Sequence, residues 1–221
     1  MNSSSTERFP GALFDLVLRR LDRDANLDRR NEKKAGYSPI PHHSFGNAFR
    51  PLQNGAQYRH FLKQVTERFA TQPEQAYSLG ELFWSIGSVD VTTLGTLDEL
   101  LHQGNIGSGR IALQLLGGAP PGLALRRPQF AVHVIEECGR LDARLGVSAE
   151  SVLLTNAQTG PFQRTPGQPS SKYLSMKETS NVLRDVFPRG SAGNRFFTRL
   201  RDVAVEMLNR ERLDDEQFGF E

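Results

Sequence analysis

Apolar residues recur along most of this chain at intervals of three and four, the spacing that gives a helix one buried face. Phe14, Val17, Leu18 and Leu21 form the first stripe and predict a helix over residues 11–24. Tyr58, Phe61, Leu62, Val65 and Phe69 form the next, over about 55–70, with Pro73 as its stop. Leu79, Leu82, Phe83 and Ile86 follow on 78–87, where Ser78 and Glu81 have the spacing of a capping box. Leu94, Leu97, Leu100 and Leu101 predict a short helix with Thr96 as candidate cap, and residues 109–116 predict another.

The run Gly117-Gly-Ala-Pro-Pro-Gly122 interrupts any regular element. It divides the chain into a helical region 1–116 and a second one 123–221, expected to pack together as one compact unit. Pro128 suits a first helical turn, and Ala131, Val134, Ile135, Cys138 and Leu141 keep the helical period up to Gly146, a candidate C-cap. A strand through Phe130, Val132 and Val134 is the competing reading, but the alternation ends at Ile135. Ser148 is expected to cap a short helix through Leu154. Ser175 with Glu178 predicts the start of a helix to about residue 187, with Val182, Leu183 and Val186 on its apolar side. Asn194 is placed as the cap of a last helix over 194–211, where Phe196, Phe197, Leu200, Val203, Ala204, Met207 and Leu208 make a wide stripe. No segment has the Val/Ile/Thr-rich alternation of a strand. The expected fold is therefore all-α or mostly α, a multi-helix globular domain of about eight helices. Two long polar loops, 25–56 and 157–171, interrupt it; loops of that length are usually functional.

Composition narrows this picture only slightly. The 221 residues suffice for a buried core, and 38% hydrophobic with 24% charged residues is ordinary for a soluble chain. A net charge of +2 and a pI near 8.8 fall short of a dedicated nucleic-acid coat. The local balance is more uneven: residues 74–109 hold five acidic residues and no Lys or Arg, between basic flanks. Such a chain can present two faces of opposite sign. Cys138 is the single cysteine, which excludes an intrachain disulfide and fits a reducing compartment. No apolar run approaches the roughly 20 residues of a membrane span, and the start lacks signal-peptide character. A cytoplasmic protein is expected.

Arginine clustering supplies the candidate chemistry. Arg19, Arg20, Arg23, Arg29, Arg30, Lys33 and Lys34 fall within sixteen residues and could straddle phosphates while the first helix stays docked. Asp22, Asp24 and Asp28 share the segment and could cancel much of that field. Near the other end, Lys177, Arg184, Arg189, Arg195 and Arg199 lie on two successive helices. A helix-turn-helix is the functional comparison, although the turn is long for one, and a plain helical hairpin is the simpler reading. Trp84, Phe218 and Phe220 are candidate protein anchors.

Other motifs point away from a recognisable active site. Gly104-Asn-Ile-Gly-Ser-Gly-Arg110 lacks the Lys-Ser/Thr of a phosphate loop and follows a helix rather than a strand, so it reads as an interhelical turn. The five histidines have no metal-ligand spacing, and Cys138 has no companion thiol. No catalytic residue, cofactor or metal is assigned. The leading expectation is a non-catalytic helical subunit binding nucleic acid or a nucleoprotein assembly through Arg/Lys phosphate contacts, with self-association open to it. The alternatives are a protein-interaction or scaffold subunit, and an enzyme whose site is assembled from residues distant in the chain.

Overall fold

A computed structural model describes residues 10–30, 32, 57–86 and 89–219. Regular structure among them is entirely helical, with ten α-helices and one 3-10 turn. Most of the predicted first loop, from residue 33 to 56, lies outside the described residues, as do the glycine and serine at 87 and 88. The chain divides into two compact units, Met1–Ala119 and Pro120–Glu221.

The first unit contains α1 (Pro10–Arg29), α2 (Tyr58–Thr71), a 3-10 turn (Pro73–Gln75), α3 (Ala76–Ile86), α4 (Val91–His102) and α5 (Ile106–Gly117). The α1 stripe is buried at Leu13, Phe14, Val17 and Leu21, and Phe14 stacks on Phe61 of α2 with ring centroids 4.9 Å apart. Helix α2 packs against α3, α4 and α5, so its residues Phe61, Leu62, Val65 and Phe69 sit at the centre of the unit. α1 runs past the predicted end at residue 24, because Ala25 still faces the core.

The caps fall elsewhere than expected. Asp90, not Thr96, caps α4, accepting from Thr93 N at 2.8 Å, and its other oxygen accepts from the buried Tyr58 hydroxyl at 2.9 Å. Thr96 instead returns its hydroxyl to Thr92 O within the helix, at 3.1 Å. Ser78 already lies inside α3, which begins directly after the 3-10 turn. In the glycine-rich run, Gly104 takes φ +71°, and Asn105 caps α5 through Ser108 N at 2.9 Å. The run is thus a turn plus the first turn of a helix.

The second unit contains α6 (Leu123–Arg126), α7 (Pro128–Leu141), α8 (Ala143–Gln158), α9 (Ser171–Val186) and α10 (Ala192–Phe218). Only Asp142 separates α7 from α8, and its carboxylate caps α8 by accepting from Arg144 N and Leu145 N at 2.8 and 3.1 Å. Gly146 is therefore no C-cap. It lies inside α8 where α7 passes so close that an added Cβ would stand 2.8 Å from Gly139 Cα. Ser148 is likewise interior to α8.

Helices α9 and α10 make an antiparallel hairpin. Ser170 caps α9, one turn before the predicted start, and Ser191 caps α10 through Asn194 N at 3.2 Å. Asn194 instead ties the intervening turn, accepting from Gly190 N at 3.4 Å and donating to Arg184 O at 3.0 Å. The unit's core joins Val132, Leu153 and Leu154 to Tyr173 and Met176 of α9 and to Phe196, Phe197 and Leu200 of α10. The second loop, predicted over 157–171, spans 159–170 and is pinned to α10. Arg164 donates to Glu211 O at 2.7 Å and pairs with Asp215, while Ser170 N donates to the buried Glu211 carboxylate at 3.0 Å. No described helix is long and apolar enough to cross a membrane.

Candidate interaction surfaces

The first surface grows directly from helical geometry. Arg19, Arg23, Asn26 and Arg30 are spaced by one, two and three turns and so share one side of α1 and its terminal turn. With Asp22 and Leu27 they line an open groove of about 490 Å³. All three arginines are exposed, and none has an ion-pair partner among the described residues.

Asp22 decides whether this stripe keeps its charge. The carboxylate is held by Arg68 of α2, whose side chain is only 16% exposed and whose guanidinium also donates to Gln75 Oε1 at 3.0 Å. A largely buried arginine from a second helix therefore neutralises Asp22. Arg20 points away from the stripe, is half-buried and has a partner within the fold. The Arg29 side chain, Lys33 and Lys34 lie outside the described residues.

The arginines of the second unit are arranged differently. Arg184 donates to Asp185 at 2.9 Å, and this bond holds the Asp185 carboxyl below its usual range. Arg199 lies 3.4 Å from Glu150, Arg201 is bonded to Asp202 at 2.5 Å, and Arg195 folds back onto Gly190 O. Arg189 is exposed on the hairpin turn. Arg184, Arg199 and Arg201 are thus each set against a carboxylate, while among the described residues Arg189 and Arg195 are not, and the five do not gather into one field.

Two exposed apolar residues one helical turn apart mark the outer side of α9. Its inward side is Tyr173, Met176, Ser180 and, partly, Leu183. That phase turns Val182 and Val186 outward, 67% and 57% exposed, one helical turn apart. The apolar side expected from Val182, Leu183 and Val186 together is corrected accordingly: only Leu183 contributes to the core. Phe218 is 69% exposed near the end of α10, and Phe220 lies outside the described residues. Trp84 is half-buried, set edge-on to Phe83, and donates its indole N–H to Leu115 O at 2.7 Å. Its polar handle is spent inside the first unit.

Two further features complete the picture, the first of which was not visible in the sequence. A polar groove of about 290 Å³ lies between α2, α4 and α5, lined by Lys63, Thr66, Glu67, Thr96, Glu99 and Gln103. Its Glu99 takes both Lys63, at 3.1 Å, and Arg59 from beside the groove. Cys138 is fully buried, and desolvation, with the nearby Glu137 carboxylate, pushes its thiol up to about 11. It carries no thiolate near neutral pH. Compared with known protein families, curated proteins and solved structures, the chain matches none.

Proposed function

We propose that this chain is a non-catalytic helical interaction subunit whose second unit docks a protein partner on the outer side of α9. The exposed pair Val182 and Val186 carries this reading. β-branched residues are poor helix formers, and at these two positions they add nothing to the core, so a partner covering both would offset their cost to α9. Beside them Arg184 is paired with Asp185, which suits the polar rim of a protein contact.

A photo-crosslinking amino acid placed at Val182 or Val186 should give a discrete adduct in the native host, while one at exposed Ser151 on α8 should give none. Val182→Lys with Val186→Lys should remove the contact and leave the helical circular dichroism unchanged. Sedimentation of the purified chain at micromolar concentration separates a second copy from a different partner. Equal labelling from all three positions would overturn the assignment.

A further inference from the structure

We infer that the α1 groove is a second, independent binding surface that holds the phosphodiester backbone of a nucleic acid. Three guanidinium groups, Arg19, Arg23 and Arg30, with the Asn26 amide between the last two, follow one line along the helix for about 16 Å. Guanidinium forks bond phosphate oxygens in pairs. Asp22 would spoil such a site were it free. Its pairing with Arg68 removes that repulsion while leaving the three arginines to a ligand. Asp15, one turn before Arg19, belongs to a neighbouring groove with Gln57 and His60.

The chemistry of the surroundings selects the ligand class. Leu13, Phe14, Val17, Leu21 and Ala25 are all buried, and exposed Leu16 with half-buried Leu27 leaves α1 too little apolar surface to enter a lipid headgroup layer. Among the described residues the groove also has no aromatic anchor of the kind that dominates protein contacts. An extended anion with regularly repeated charges fits the line of arginines. Phosphate contact alone reads no sequence, so the binding is sequence-independent.

Anisotropy titrations of the full chain with labelled single- and double-stranded oligonucleotides test this. Three phosphate contacts predict a slope of log K against log salt of about −2 on single strands and about −3 on duplex, and a roughly 20- to 40-fold loss between about 50 and about 200 mM salt. Replacing Arg19, Arg23 and Arg30 together by Gln should weaken binding at least tenfold and flatten that slope. R23Q alone, the variant to read should the triple one fold poorly, should reduce the slope by about 1. R68Q should also weaken binding, although Arg68 is not in the line, because it frees Asp22; D22N added to it should restore affinity. This rescue is what a merely structural role for Arg68 would not produce. Absence of binding at about 50 mM salt, or binding indifferent to these variants, would overturn the inference. So would equal retention by polyglutamate or by phosphatidylserine–phosphatidylcholine vesicles. Val182 and Val186 variants should leave all of these values unchanged, which keeps this surface separate from the one on α9.

Discussion

Burial changes the chemistry of a side chain most directly where it opposes ionisation. Cys138 shows this, with a thiol that would ionise near 9.0 in water and near 11 in the fold. The native thiol should resist a thiol-specific reagent at pH 8 and react fully once the chain is unfolded. Its pKa is raised on folding, so the stability gained by burying the neutral thiol is complete below about pH 9. It is lost as the pH rises toward 11, because the unfolded chain releases its proton first. Wild type should therefore lose more stability than Cys138→Ala across that window, read from urea unfolding at each pH. Rapid modification of the native thiol at pH 8, or parallel pH profiles for the two proteins, would contradict the burial argument. The same scale explains why Arg19, Arg23 and Arg30 were legible as candidates but their freedom was not. That freedom depends on Arg68 of α2 reaching Asp22, a pairing 46 residues apart that no local pattern encodes.

At the scale of elements, the contact between α7 and α8 rests on Gly146. An added Cβ would meet the Gly139 backbone at 2.8 Å, and backbone cannot swing aside as a side chain can. Gly146→Ala should cost about 1–3 kcal/mol by overpacking. Gly139→Ala places its own Cβ in open space, so it should stabilise by about 0.5–1 kcal/mol through helix propensity alone. Opposite signs from two chemically identical changes, seven residues apart, are the test in thermal melts; a shared sign would refute the close approach. Neither role could be read from the sequence, where Gly146 looked like a terminator. The helices were legible because burial imposes a 3.6-residue period on composition, as Phe196 through Leu208 do on α10. Their ends were less so. Asp142, Ser148, Ser170 and Ser175 can all cap locally, and the turn that the tertiary fold permits decides which one does. Val182 and Val186 misled for a related reason: the phase of α9 is set by Tyr173 and Met176, whose partners lie on other helices.

At the scale of the molecule, each unit closes a core of its own. In the second, α6 supplies Ala124, α7 Ala131 and Val132, α8 Leu153, Leu154 and Ala157, and the hairpin of α9 and α10 the remaining large side chains. Asn156 of α8 holds the start of that unit, accepting from Leu123 N at 3.0 Å through its side chain and from Gly122 N at 3.3 Å through its carbonyl. The polar ties that fix its strap, from Arg164 and Ser170 to α10, also lie within it. A fragment of residues 120–221 is near the size at which a single core suffices for independent stability. It should therefore be helical and melt cooperatively, with an unfolding enthalpy on the order of 70 kcal/mol for about 100 residues. A helical but non-cooperative fragment, with no enthalpy peak on heating, would show instead that this core needs the first unit to become ordered. A cooperative fragment would let the two binding surfaces be assayed apart: the α9 contact should survive in residues 120–221, and the oligonucleotide binding should disappear with α1.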